Sequence, residues 1–591
     1  MNAFVDYLNS TNNVGGNSTG SLAETQVKSK YFDHVKVDRK LGTFISDTVK
    51  NKDYHAFILT GHAGDGKTSV LVQVLKELQY LHSGDGLEKI KSYSDFLYVK
   101  DMSEIAEEHQ IDILMQTLEA PQNHQSSLLI SNTGPLLHTF LRMAAYSRRS
   151  KGLSFEEADR IELQSKLLSQ LDTNSDEEIV VEGHSFFLVN IARVDNVSFA
   201  TQILKKLVSP DLWDSCTRCK CHERCPIYHN VKHVSAQLAR VSRFIESLYR
   251  YLYENDKRMT FRQMVGQLSY ALTGNLTCNY IESHYVKEPF FNYNFANLFF
   301  GFIGLNEARN SSQIKGISQL KLLGLDHVAL DVDYRLFVNN DYHAFFTPEI
   351  ANELFELKRK HQKHYQIFDE ESAASGLAKS DEAKLRRAIR RFYILFSADL
   401  NEDSILNQLF GKHYTLYESL ISTKQSKSVL RNVQALVFKA LYIKNTGFLP
   451  DTTNELPLTL RRDNSVFQNV MLVLGTVSKN DLHIIQKPIT SHFEDTSAKQ
   501  ELYLSVNGRC FLLTLPMLSY FDDLIQGAIS SNDNPALTHG IAKLDALLLE
   551  EYGDSLPDSE DDCELKLLIN TTKGQQIRYF AFDGSKLSIL S

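Results

Sequence analysis

The sequence predicts an α/β core, a parallel sheet with helices on both faces, followed by a helical lid, a helical middle region and a β-rich C-terminal domain. Three observations carry this expectation. Short apolar runs alternate with helical stretches over the first 200 residues, a glycine-rich turn joins one such run to one such helix, and beyond about Asn454 the texture changes to short or alternating apolar runs. Apolar strands separated by helices imply a parallel sheet covered on both faces, because the crossover helices must pack there.

Length and composition set the bounds. At roughly 100 to 200 residues per domain, 591 residues exceed any single small binding module. With 43% apolar and 23% charged residues the chain can build ordinary cores, which excludes disorder, collagen and a disulfide-dense mini-protein. Lys plus Arg total 63 against 72 Asp plus Glu, a formal charge of -9, so nucleic-acid contact would need a local basic patch. No apolar run approaches the roughly 20 residues of a membrane helix, and MNAFVDYLNSTNN lacks a basic start and an apolar h-region. The expectation is a cytoplasmic protein without membrane contact. Cysteine usage agrees: four cysteines crowd into one stretch while Cys278, Cys510 and Cys563 stand apart, poor material for a secreted disulfide framework.

Residues 1–25 contain NSTNNVGGNSTGS, which cannot bury a face and is expected to be flexible. The core spans 26–200. Leu41, Phe44, Ile45 and Val49 fall at helical spacing and lead into the run Ala56–Thr60, a buried strand. Further strands are expected at Phe96–Lys100, Leu128–Ser131 and Phe186–Asn190, separated by helical sequence such as VLVQVLKELQYL and PLLHTFLRMAAYS. Residues 201–278 form the lid, dominated by the amphipathic VSAQLARVSRFIESLYRYLY, and 279–452 the mostly helical middle domain. The β-rich domain, 453–591, carries LPLTL, VMLVLGTV, ELYLSV, CFLLTL, ELKLLI and IRYFAF. Its acidic stretch EEYGDSLPDSEDDCE reads as a solvated turn.

Gly61-His62-Ala63-Gly64-Asp65-Gly66-Lys67-Thr68 matches G-x-x-x-x-G-K-[ST] in full, directly after the strand AFILT and before the helix beginning at Ser69. Glycines let the backbone curl with its N–H groups inward, and the helix adds the positive end of its dipole, a combination that holds a triphosphate. The core is therefore expected to be an α/β P-loop NTPase core binding ATP and Mg2+. Lys67 would reach the β and γ oxygens and Thr68 would ligate the metal.

Hydrolysis needs an acidic residue at the end of a neighbouring strand. Asp101 is the best candidate, with capping of SEIAEEHQ as its competing role. Asn132 and Asn190 could orient the attacking water. Arg240 and Arg243 on the lid could sense the γ-phosphate or act as an arginine finger for a neighbouring copy in a homo-oligomer.

Cys216-x2-Cys219-x-Cys221-x3-Cys225 puts four thiols within ten residues. In a cytoplasmic protein that density points to a metal, Zn2+ first and an iron-sulfur cluster as the alternative, with unligated thiols as the plain explanation. His222, His229 and His233 could replace one cysteine. Lys384, Arg386, Arg387, Arg390 and Arg391 fall at helical spacing opposite Leu385, Ile389 and Phe392, and Lys358, Arg359, Lys360 and Lys363 could extend that patch. Such a face would attract DNA phosphate, although a solvated helix face has the same pattern.

The segments VKVDRK, GHAGDGKT, ISNTG, a cysteine cluster ending in CPIYHN, KRMTFRQMVGQLSYALTG and LPMLSYFDDL occur in that order. This order resembles the DptF-type ATPase of bacterial DNA-phosphorothioation-dependent restriction systems, an AAA+/STAND-like P-loop protein. The resemblance spans most of the chain and implies an ATPase that acts with partner proteins of the same restriction system on DNA lacking the phosphorothioate mark. Gly61 to Thr68 carry over directly. With no nuclease motif in the chain, cleavage would fall to a partner. A nucleotide-switched signalling or assembly protein without direct DNA work is the alternative.

Overall fold

The structure is a computed structural model that describes residues 2–12, 29–62, 64–82, 85–173, 176–284, 292–367, 377–398, 402–450, 453–460, 469–491, 493–528, 534–553, 563–571, 574–582 and 586–590. Most of the glycine- and asparagine-rich stretch expected to be flexible, and most of the acidic turn, lie outside these. The chain divides into two compact units. One comprises Met1–Tyr253, Arg258–Ile405 and Thr490–Ser497, the other Glu254–Lys257, Leu406–Ile489 and Ala498–Ser591.

In the first unit, β1 (Ala56–Thr60), β2 (Ile90–Ser92), β3 (Phe96–Val99), β4 (Ser126–Ile130), β5 (Ile179–Val181) and β6 (His184–Asn190) form one sheet in the order β2-β3-β4-β1-β6-β5. The inner four run parallel, with Ile58 opposite both Leu129 and Leu188. The edges depart from the expected all-parallel sheet, since β2 and β5 pair antiparallel with their neighbours. Glu182 and Gly183 explain one edge: both have positive φ, the conformation of a two-residue hairpin turn.

The strands lack polar alternation because both faces are covered. Phe57 and Leu59 pack with Leu128, Ile130 and Val189 on one face, while Ile58 packs with Leu129, Phe186 and Leu188 on the other. Helix α1 (Ala3–Thr11) precedes the core; α2 (Lys40–Lys50) and α3 (Lys67–Glu77) cover the first face through Leu41, Ile45, Val70 and Val74. Helices α4 (Glu107–Glu119), α5 (Thr133–Ser150) and α6 (Glu157–Thr173) cover the second through Leu114, Phe140 and Leu167. Truncating one such core side chain, as in Leu129→Ala, costs about 2–5 kcal/mol. Phe493, far along the chain, completes the first face against Phe44 and Phe187.

Helix α1 corrects the expectation that the chain is flexible from its start. Asn2 caps it by accepting from Phe4 N, and Phe4, Val5 and Leu8 are buried, with Phe4 edge-on to Trp213. After the sheet come α7 (Ser198–Leu207), α8 (Pro226–Ala236), α9 (Leu238–Glu254), α10 (Phe261–Thr273) and α11 (Cys278–Ser283). The amphipathic segment expected as one helix is divided at Gln237 between α8 and α9. Helix α10 starts with a capping box between Thr260 and Gln263 and ends at the left-handed Gly274. A two-residue hairpin, β7 (Phe302–Ile303) and β8 (Asn306–Glu307), and the long helix α12 (Leu377–Phe396) follow.

The second unit contains α13 (Tyr414–Ser422) and α14 (Lys427–Thr446), then β9 (Glu455–Leu460), β10 (Val470–Ser478), β11 (Leu482–Pro488), β12 (Gln500–Val506), β13 (Arg509–Leu512), β14 (Cys563–Thr571), β15 (Gly574–Phe582) and β16 (Leu587–Ile589). They make two antiparallel sheets, ordered β16-β15-β14-β10-β9 and β11-β12-β13. The β-rich region also holds two helices, α15 (Leu515–Ile525) and α16 (Pro535–Tyr552). The first is LPMLSYFDDL, whose buried Leu515, Leu518 and Phe521 repeat every three residues rather than every two.

Candidate functional site

The strand β1 leaves the centre of the sheet at Thr60 and the chain turns through residues 61–66 into α3. Gly61, Gly64 and Gly66 all have positive φ, and Gly66, at +90°, stands at the N-cap of α3. Gly64 answers a second demand. A Cβ there would lie 3.2 Å from Thr260 Oγ1 and 3.4 Å from Arg262 Cβ, so the start of α10 comes up against the loop's backbone. Ala63 lies outside the described residues; Thr68 and Ser69 are half-buried in the first turn of α3.

Lys67 folds its side chain back along this loop. Its Nζ donates to the carbonyl oxygens of Gly61 (2.6 Å) and His62 (3.2 Å) and to Oδ1 of Asn132 (3.4 Å). Burial pushes the ammonium below its ordinary pKa, opposed by the charges of Asp65 and Asp101. Asp65 has no exposed surface, and three groups hold it. His62 N donates to its Oδ2 (2.8 Å), Arg258 Nη1 donates to its Oδ1 (2.6 Å), and Arg39 Nη2 donates to its carbonyl oxygen (3.0 Å).

The other polar candidates sit where parallel strands end, the edge at which ligands bind in α/β sheets. Asn132 follows β4, and its Nδ2 donates to Ser103 Oγ at 3.2 Å while its Oδ1 faces Lys67. Asp101 follows β3; its Oδ1 accepts from Ser103 N at 2.9 Å, capping the short 3-10 helix Met102–Glu104, while its charge acts on Lys67. Asn190, at the end of β6, is occupied locally: its Nδ2 donates to Leu171 O and its Oδ1 accepts from Ala192 N.

The arginines at the loop are not those the sequence suggested. Arg240 pairs with Glu402 and donates to Ile394 O, and Arg243 stands 3.8 Å from Asp403, so both serve the packing of α9. In their place are Arg39, Arg258 and Arg262. Buried Arg39 is pushed down to about 10 by desolvation, against the pull of Asp495 and Asp65. Arg262 N approaches Gly64 O at 3.4 Å, and burial pushes its guanidinium down. The signal for two of them was in KRMTFRQM, where Thr260-x-x-Gln263 marks a helix start with Arg258 and Arg262 on either side. A positive-φ turn, a helix N-terminus, Lys67 and three arginines thus meet at the carboxyl end of β1.

The four clustered cysteines line one cavity of about 250 Å³, and Cys278, which had seemed to stand alone, lines it with them. Cys216 lies in a short helical turn and accepts from Asn2 Nδ2 at 3.5 Å; Cys225 is the N-cap of α8. His222 lines the same cavity and its Nδ1 is 3.1 Å from Cys219 O. His229 Nε2 engages Glu223 O at 2.7 Å, and burial pushes His233 down to about 4. Among the described residues, no three His, Cys, Asp or Glu side chains already converge as a ligand group.

The basic helix α12 is not the exposed face its sequence implied. Arg391 is 1% exposed and pairs with Asp326 at 2.8 Å, and Arg390 makes two bonds to Asp333 at 3.0 and 2.6 Å. Buried polar partners on the preceding loop, invisible to helical spacing, account for the difference. Arg386 and the half-buried Lys384 and Arg387 remain toward solvent, with Arg386 paired to Glu382 and Arg387 near His327. Lys358 donates to Phe337 O and Arg359 pairs with Glu356, while the side chains of Lys360 and Lys363 lie outside the described residues. Compared with protein-family models, curated proteins and solved structures, the chain matches none.

Proposed function

We propose that the first unit is a P-loop NTPase core and that the chain binds ATP with Mg2+ and hydrolyses it. One arrangement carries the reading: Lys67 reaches back over a three-glycine turn at the carboxyl end of the central strand, between Asn132 and the loop carbonyls. Those carbonyls hold the ammonium where β and γ oxygens would compete for it, and the N–H groups of Gly64, Gly66 and Lys67 would supply further donors. Thr68 and Asp101 would hold Mg2+, which would supply positive charge to offset that of the phosphates. Asn132, held by Ser103, would orient the water that attacks the γ-phosphorus as the bond to the leaving ADP oxygen breaks.

The resemblance extends this to a cytoplasmic component of a DNA restriction system that works with partner proteins, with Arg386 and Arg387 as solvent-facing cations that would meet DNA. Thiolates at Cys216, Cys219, Cys221 and Cys225 suit zinc or an iron-sulfur cluster as a structural staple. The test is steady-state ATP turnover by the full chain, alone, with DNA, and with the proteins encoded beside it. Turnover that rises with DNA and those proteins supports the restriction reading, and the absence of both binding and turnover overturns it.

A specific observation favours a second reading, a nucleotide-driven switch. Arg258 and Arg262 tie the start of α10 to Asp65 and Gly64, so any change in the loop reaches that helix. ATP binding without turnover, accompanied by altered proteolysis around residues 254–262, would favour it.

A further inference from the structure

We propose that Cys278 is a ligand of the cysteine-cluster metal, so that the centre is built from Cys216, Cys219, Cys225 and Cys278 rather than from one stretch of chain. The proposal rests on the metal reading above and changes its ligand set. Five cysteine side chains face a single cavity, and Cys278 enters it from α11, 53 positions beyond Cys225 in sequence. Its Sγ lies 3.9 Å from Asn2 O, and Asn2 Nδ2 lies 3.5 Å from Cys216 Sγ, so the two sulfurs flank one residue.

Cys225 stands at the N-terminus of the eleven-residue α8, and Asn2 Nδ2 donates to the sulfur of Cys216. Such N–H···S bonds stabilise a ligating sulfur. Arg218, Lys220 and Glu282 line the cavity as well, so its charged lining is net positive against the excess negative charge of four thiolates around a divalent ion. Cys216 and Cys219 have the C-x2-C spacing of a ligand pair. Cys225 and Cys278 supply the second pair, and Cys221, which lines the same cavity, is left beside it. Because Asn2 caps α1 with one side-chain atom and meets Cys216 with the other, the same centre fastens α1.

The experiment is elemental analysis, with acid-labile sulfide, on the full chain and on Cys278→Ser, Cys221→Ser and Cys510→Ser. The wild type should hold one zinc, or iron with sulfide in the cluster case. Cys278→Ser should retain metal against a chelator at least about tenfold less well, whereas Cys221→Ser and the distant, exposed Cys510→Ser should match wild type. A second measurement needs no variant. Alkylation of the metal-loaded wild type, mapped by mass spectrometry, should label Cys510 at once and Cys278 only after chelation. Full metal retention by Cys278→Ser, or immediate labelling of Cys278 in loaded protein, overturns the proposal. A wild type free of both metals defeats the metal reading itself.

Discussion

Arg258 Nη1 lies 2.6 Å from Oδ1 of Asp65, joining a fully enclosed carboxylate in the glycine-rich turn to a residue 193 positions later. The same guanidinium donates to Ile191 O and Val194 O, just past β6, so one side chain ties the turn to the next strand's exit. Arg258→Ala would strand a buried charge and should cost about 3–5 kcal/mol, read from urea unfolding. The double variant Asp65→Asn/Arg258→Met should cost clearly less than the two single changes summed. Additive losses would mean that the pair is not coupled.

Asp101 separates capping from catalysis. Asn caps as well as Asp, so Asp101→Asn should leave stability within about 0.5 kcal/mol while turnover falls about a hundredfold. Asp101→Ala should lose the cap as well, about 1 kcal/mol. Turnover by Asp101→Asn equal to wild type would leave the residue as a cap alone.

The arginines of α12 should behave oppositely. Removing buried Arg391 leaves Asp326 uncompensated and should cost about 3–5 kcal/mol in chemical denaturation, whereas exposed Arg386→Ala should stay within about 0.5 kcal/mol. A gel shift with Arg386 and Arg387 changed to Glu then tests DNA contact. Unchanged DNA retention would assign these cations to solvation.

Glu353, on the helix Pro348–Ile367, has an enclosed Oε2 with no hydrogen-bond partner among the described residues, and burial raises its pKa from 4.5 to about 8. The folded chain therefore keeps a proton that the unfolded chain releases. Its stabilising contribution is complete below the unfolded value and is lost as pH rises through about 8. Glu353→Gln should gain about 1–3 kcal/mol on wild type between pH 5 and pH 9, seen in thermal melts across that range. Parallel pH profiles for the two proteins would contradict this.

The four inner strands were legible because a doubly covered strand writes itself as an unbroken apolar run, as in AFILT. Both edge strands were not: IKS and IVV are three residues long, too short to show a period. Helix α15 was missed because its apolar residues lie among strand-like neighbours. At the site, Gly61 to Thr68 declared itself by spacing, whereas Arg39 and Arg258 reach the loop only through tertiary packing. Cys278 illustrates the same limit. Sequence distance isolated it, and α11 returns it to the cluster.

Lys67 and its turn are proposed to bind the phosphates of ATP, which isothermal calorimetry with Mg2+ measures. Wild type should bind ATP with measurable heat. Lys67→Ala, which loses charge-assisted bonds worth about 1.5–3 kcal/mol each, should bind at least about tenfold more weakly while melting at a similar temperature. Equal affinity in the two proteins, with both folded, would contradict the account.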